Sequence, residues 1–180
     1  MKKTLLNLIA LVTFFNFYGQ EIKNVKAIDK IINLTAKEIY EKRLPLKVKN
    51  LDSITIKNIE GNQIKAGQEI RGFYKNEEIK MLVYTVSTNE SVYRIAYNFT
   101  GQSVISVYEC EQVFPKFNRL SLDAKFIYTA MYYLETNRVF RTEITGEKNI
   151  GRTFVITNST ISNEISKILK NLKPVPYTNL

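Results

Sequence analysis

The chain has 180 residues, with 26 Lys and Arg, 17 Asp and Glu, no His and one Cys. Without His, neither a Ser-His-Asp triad nor a Cys-His pair can form, and a zinc site of the usual His and Cys type is excluded. A single Cys excludes an intramolecular disulfide, and the net charge of +9 favours an anionic partner.

Residues 1–20 have the pattern of a bacterial export signal: two lysines, a short apolar run over residues 5–17 and a polar exit. The run is shorter than the roughly 20 apolar residues of a membrane-spanning helix, which argues against a transmembrane anchor. We therefore predict cleavage before Glu21, a single domain over residues 21–180, and a periplasmic or extracellular location. Export makes nucleic acid a poor partner and leaves acidic lipid, polysaccharide or protein.

Residues 22–43 predict an amphipathic helix that Pro45 ends. Lys and Glu occupy one side of this helix, and an apolar stripe occupies the other. We predict that the stripe packs on a sheet, and the alternative is a partner-binding face. The stripe consists of Val25, Ile28, Ile32, Thr35, Ala36 and Ile39.

From Ser53 the apolar period changes to two, which indicates strands separated by short turns that carry Asn or Gly. Consecutive hairpins of this kind build an antiparallel meander, and strands this long tend to curl into a concave face. The predicted strands are 53–59, 69–75, 78–87, 92–100, 103–113, 124–135 and 138–145, with a further strand at 152–156 and a helix at 160–172. The predicted fold is therefore α+β: a curved antiparallel meander of six to seven strands with an N-terminal and a C-terminal helix packed on it.

The row of tyrosines in the central hairpins is the first candidate site. Two-residue loops at Asn89-Glu90 and Thr100-Gly101 would place Leu82, Tyr93 and Tyr97 side by side, with Tyr93 opposite Tyr108. The same register places Arg71 beside Leu82, where a cation among aromatic rings could hold an anionic group. The predicted ligand- or partner-binding residues are Tyr93, Tyr97, Tyr108 and Arg71. The alternative is that the tyrosines complete the core.

Glu109 and Glu111 are the one carboxylate pair that could support catalysis. Two residues apart on a strand, they project to the same face at a separation of roughly 7 Å, which lies in the range of inverting glycosidases. The alternative is a pair of rim charges near Arg94 on the neighbouring strand.

The segment from Gly67 to Glu109 resembles the meander of small secreted bacterial proteins with no assigned activity. The resemblance covers about a quarter of the chain and implies a fold type and no catalytic residue. It is carried by Gly67, Glu69, Phe73-Tyr74 before Asn76, Tyr97-Asn98-Phe99 and Val107-Tyr108-Glu109.

The sequence favours an exported, non-enzymatic binding protein that uses an aromatic sheet face. The expected partner is a small amphipathic or anionic ligand, or an envelope protein. No catalytic residue, cofactor or metal site is predicted. Two alternatives stay open: an inhibitor or immunity-type protein that blocks an exported enzyme or toxin through one sheet face, and a carboxylate-based hydrolase.

Overall fold

The computed structural model describes residues 24–57, 60–114, 125–136 and 138–149. Helix α1 spans 24–40, and seven antiparallel strands follow in chain order within one sheet. The strands are β1 (Leu46–Lys57), β2 (Gln63–Lys75), β3 (Glu78–Ser87), β4 (Ser91–Thr100), β5 (Ser103–Val113), β6 (Lys125–Glu135) and β7 (Arg138–Gly146). The predicted antiparallel meander with an N-terminal helix is confirmed, whereas the predicted elements at 152–156 and 160–172 lie outside the described residues.

A Schellman motif ends α1 before the chain reaches Pro45. Lys42 adopts a left-handed backbone conformation with φ of 57°. The Arg43 N–H donates to the Glu38 carbonyl at 2.8 Å, and the Lys42 N–H donates to the Ile39 carbonyl at 2.9 Å. These bonds occupy the carbonyls that would accept hydrogen bonds from the next helical turn. The helix therefore ends three residues earlier than the sequence pattern predicted.

Strand β1 begins seven residues earlier than predicted. Its first four residues, Leu46 to Lys49, do alternate, but the polar residues that follow them interrupt the pattern before Ser53. Such residues are tolerated because β1 lies at one end of the strand order. A register shift between Leu51 and Ile54 further breaks the two-residue period. The start of this strand could therefore not be read from alternation alone.

The two faces of the sheet bury different hydrophobic clusters. We call the face that carries Leu82 and Tyr97 face A, and the face that carries Phe73 and Met81 face B. Leu82 pairs with Tyr97 and Val86 pairs with Tyr93, as predicted from the Asn89-Glu90 turn. Face A holds the larger cluster, which draws on β1 to β6. Its buried members are Ile56, Ala66, Ile70, Tyr74, Leu82, Val86, Tyr93, Ile95, Tyr97, Phe99, Val107, Tyr128, Ala130 and Leu134.

Helix α1 packs on face B. The Tyr133 hydroxyl on β6 donates to Asp29 Oδ1 at 3.1 Å, while Glu38 forms an ion pair with Lys75 on β2. Ile39 packs near the helix end against a small core that contains Phe73. The helix therefore crosses the sheet from β6 to β2, and its apolar stripe serves sheet docking as expected.

The predicted register of β4 with β5 is wrong by three residues. The loop is Gly101-Gln102, and the pairing skips Ile105, so that Tyr97 lies opposite Val107 and not Val104. Because side chains alternate between faces, an odd shift moves every later side chain of β5 to the other side of the sheet. Tyr108 therefore lies on face B, away from Tyr93 and Tyr97.

The predicted position of Arg71 is wrong for a similar reason. The Asn76-Glu77 turn is where it was expected, but Lys80 is left out of the pairing between β2 and β3. Gly72 is consequently opposite Leu82, and Arg71 is opposite Val83 on face B. One bulged residue thus decides which face receives this cation.

We expect Gly146→Ala to destabilise the fold more than Gly101→Ala. Both glycines have positive φ, 78° and 58°, but a Cβ at position 146 would lie 1.9 Å from the Ile127 carbonyl oxygen, whereas one at position 101 would meet nothing within 4 Å. The difference should be about 1–3 kcal/mol, the cost of overpacking a close contact. Chemical denaturation of both variants measures it, and equal losses would show that the close approach does not matter.

Candidate functional site

The sheet separates the four predicted site residues into two pairs. Tyr93 and Tyr97 lie on face A and are buried in the core, as the alternative interpretation expected. Tyr108 and Arg71 lie on face B, where both are partly exposed. A single wall built from all four residues is therefore not formed, and each face has to be considered by itself.

Glu109 and Glu111 lie on face A beside the buried tyrosines, both with 0% exposure. They pair with Ile95 and Tyr93 of β4, so that the register shift which moved Tyr108 away also brought these carboxylates inside. They are consequently not rim charges near Arg94, because Arg94 lies on the opposite face. A buried carboxylate has a large desolvation cost unless cations and donors surround it.

The short segment after β7 supplies those groups. Lys148 Nζ lies 2.6 Å from Glu109 Oε2, and the Asn149 N–H donates to Glu111 Oε2 at 2.8 Å. The Tyr128 hydroxyl also donates to Glu109 Oε2, at 3.2 Å. The Lys148 ammonium lies 4.8 Å from the centre of the Tyr128 ring, close enough for a cation–π contact.

This charge cluster is enclosed, with Lys148 20% exposed and Glu109 fully buried. The Glu147 N–H donates to the Ile127 carbonyl at 3.1 Å, and Ile127 is the residue that the pairing of β5 with β6 skips. The bulge thus leaves a carbonyl that anchors the segment 147–149 onto the sheet. The arrangement fastens a chain segment to the core and does not form an open cleft.

The tyrosines of face A are held in the protonated state. Burial raises the pKa of Tyr93, and the negative charge of Glu109 raises it further. Burial, followed by the charge of Glu109, raises the pKa of Tyr97 to about 12. Both hydroxyls therefore stay neutral through the physiological range and cannot serve as bases there.

Face B carries an open groove beside the C-terminal half of α1. Its volume is about 430 Å³, within the range of small-molecule sites. Apolar side chains from the helix and from β2 and β3 form most of the surface, and polar side chains lie along one end. The lining residues are Ala36, Ile39, Tyr40, Glu69, Arg71, Phe73, Met81, Val83, Thr85 and Arg94.

The strand register arranges the groove floor in rows of decreasing polarity. Glu69, Thr85 and Arg94 form one row across β2, β3 and β4. The next row pairs Arg71 with Val83, and the row beyond it, toward the helix, pairs Phe73 with Met81. The groove is therefore polar at one end and apolar at the other.

The two arginines of the groove have different partners. Arg71 Nε lies 2.5 Å from Glu69 Oε1, so that this cation is already neutralised. Arg94 Nη1 donates to the neutral Gln112 Oε1 at 2.6 Å. Within the described residues no carboxylate lies at ion-pair distance from Arg94.

Arg94 is consequently the cation of the groove that can accept an added anion. It lies opposite Cys110 in the sheet, where burial raises the pKa of the thiol and the Arg94 charge partly opposes that shift. A guanidinium offers five N–H donors in a fixed plane, which suits a carboxylate or a phosphate.

The sequence analysis did not place Arg94 in a groove, although it offered the stripe of α1, with Ala36 and Ile39, as an alternative partner-binding face. The two apolar residues next to Arg94 in the strand point to face A. The alternation of side chains therefore indicates that Arg94 points to face B. That signal does not reveal a groove, because the groove forms only where the C-terminal half of α1 lies beside β2, β3 and β4.

No cluster of three or more potential metal ligands occurs in the part of the chain that the structure describes. Over the same residues, no helix combines the length and the apolar character needed to cross a membrane. No protein-family model matches the chain, and neither a curated protein nor a solved structure is similar to it. The site is therefore interpreted from its own chemistry.

We expect Lys148→Met to lower the free energy of unfolding by about 2–4 kcal/mol, because it leaves buried Glu109 without its cation. Lys80 provides a matched control: it is 22% exposed, but its partner Glu78 is 59% exposed. Lys80→Met should cost less than about 1 kcal/mol. Adding Glu109→Gln to Lys148→Met should recover part of the loss, and additive losses in denaturation experiments would contradict the coupling.

Stability should fall as the pH rises above about 10, the pKa of tyrosine in the unfolded chain. The raised pKa of about 12 for Tyr97 in the fold means that the unfolded state loses its proton first. The stabilisation is fully present below pH 10 and is lost between about 10 and 12. Tyr97→Phe should reduce this slope and Tyr40→Phe, which changes an exposed ring, should not, as measured by denaturation at several pH values.

Proposed function

We propose that the chain is an exported, non-enzymatic protein that binds a small amphipathic anion in the groove of face B. The observation that carries this proposal is Arg94, a partly buried cation without a carboxylate partner among the described residues, at the polar end of an apolar groove. Export is inferred from the leader pattern of residues 1–20.

The groove suits a ligand with a charged head and a hydrocarbon tail. The head would bind Arg94 through paired N–H donors, as guanidinium groups bind carboxylates and phosphates. The tail would extend along Val83 toward Met81 and Phe73, where apolar contact removes its surface from water. Because polarity falls in one direction along the strands, the groove would also set the orientation of the ligand.

Neighbouring charges would select against a cationic head. Glu69 lies in the same row as Arg94 but is engaged by Arg71, so its negative charge is not free to attract an ammonium group. The net positive charge of the chain adds a weaker, long-range preference for anions. Head-group charge is thus the property that distinguishes a ligand from a non-ligand.

We expect laurate to bind the protein in calorimetric titration below its micelle concentration. Arg94→Gln should weaken laurate binding by roughly 10- to 100-fold, the value of a hydrogen-bonded charge contact. Arg138→Gln, which removes an exposed arginine on β7, should leave the affinity unchanged. Dodecyltrimethylammonium, with the same tail and the opposite charge, should not bind.

A second variant tests the groove without touching the charge. Ala36 is exposed on α1 and lines the groove, so that Ala36→Trp should fill the space while leaving the core intact. Loss of laurate binding with an unchanged melting temperature supports the proposed site. Equal laurate affinity for the wild type, Arg94→Gln and Ala36→Trp would refute it.

A further inference from the structure

The outer face of α1 carries a line of lysines. Lys26, Lys30 and Lys37 are all exposed and, at 100° per residue, lie within about 40° of one another around the helix. The line is about 16 Å long at 1.5 Å per residue. Asn33 lies on the same line and adds no charge.

The carboxylates near this line are engaged elsewhere. Asp29 accepts the hydrogen bond from Tyr133, Glu38 pairs with Lys75, and Glu41 lies 3.0 Å from Arg43. Asp29 keeps its charge beside the lysines, because its donor Tyr133 is neutral, but three cations against one carboxylate still leave the outer face net positive. Lys26 and Lys30, four residues apart, repel each other in the free protein, and an anionic surface would remove that cost.

Two large apolar side chains flank the lysine line. Leu34 is 54% exposed and Tyr40 is 87% exposed. Tyr40 also lines the groove of face B, so that the basic face and the mouth of the groove adjoin. Exposed Leu and Tyr beside lysines can combine insertion of apolar groups at a bilayer interface with attraction to anionic headgroups.

We propose that α1 docks with this outer face on an anionic lipid bilayer. The three lysines contact the headgroups, and Leu34 and Tyr40 insert at the interface. The docked helix brings the groove mouth to the lipid surface, where an anionic amphiphile can pass between bilayer and groove. The transfer step rests on the proposed function, whereas docking does not depend on it.

A lipid surface fits this face better than an acidic protein does. The line is straight, lies on one convex helix and offers only two apolar side chains, without the central cluster of buried anchors that a specific protein interface uses. Lysines spaced along one helix side suit a partner with negative charge spread over a plane, and each lysine near a bilayer of acidic lipids contributes about 1 kcal/mol.

Vesicle flotation tests the docking. The chain is purified as the cell leaves it, with the N-terminus established by mass spectrometry, and mixed with vesicles of phosphatidylglycerol and phosphatidylcholine or of phosphatidylcholine alone. We expect binding to the anionic vesicles only, and loss of that binding as the salt approaches about 1 M. The combined variant Lys26→Gln, Lys30→Gln, Lys37→Gln should bind on the order of 100-fold more weakly, at roughly fivefold for each lysine.

A charge-matched variant controls for net charge. Lys49, Lys57 and Lys65 are exposed on β1 and β2, away from α1, and their replacement by Gln should leave vesicle binding within about twofold of the wild type. Equal losses in the two triple variants would overturn the assignment to α1. Absence of binding to anionic vesicles at low salt, or lysine-dependent binding to polyglutamate in place of vesicles, would also overturn it.

Failure of docking and failure of the groove are separable. Laurate titration without vesicles measures binding to the groove alone. Arg94→Gln should leave vesicle flotation unchanged, because Arg94 lies on β4 in the floor of the groove and not on the outer face of α1. Docking with no laurate binding would retain the membrane surface and remove the transfer step.

Discussion

In an antiparallel sheet each side chain points to one face or the other, and one extra residue in a strand reverses that choice for all that follow. Such reversals are frequent in this sheet, because register shifts occur in five of its six strand pairings. The bulge at Lys80 turns Arg71 toward the helix side, and the skipped Ile105 belongs to the shift that turns Glu109 and Glu111 toward the core. The distribution of charge between the two faces depends on these two residues.

The two faces handle charge in opposite ways. On face A the chain supplies its own counter-charge, because Lys148 forms an ion pair with Glu109. The neighbouring N–H groups of Glu147 and Asn149 hold the segment there by donating to the Ile127 carbonyl and the Glu111 carboxylate. On face B the row of Glu69, Thr85 and Arg94 contains one cation whose partners are neutral. A closed network stabilises a fold, whereas an uncompensated cation beside an apolar floor can stabilise a bound anion.

Helix α1 relates the groove of face B to the proposed membrane surface, because one side of the helix packs on the sheet and the other side is exposed. Its apolar stripe covers part of face B, and the groove lies beside its C-terminal half, over β2, β3 and β4. Its outer side carries the lysines, and Tyr40 belongs both to this side and to the groove mouth. The C-terminal half of the helix thus forms one side of the groove and relates the groove to the proposed membrane surface.

The amino-acid sequence by itself determined the order and direction of the strands, the tight turn at Asn89-Glu90 and the docking stripe of α1. Alternation and turn chemistry are local, so they can be read from neighbouring residues. Tertiary structure decided which face Arg71 and Tyr108 occupy, because a bulge forms where packing across the sheet accommodates an extra residue. It also decided that Lys148 meets Glu109 and that α1 and Arg94 line the same groove, since contacts between residues distant in the chain depend on how the whole sheet and helix pack.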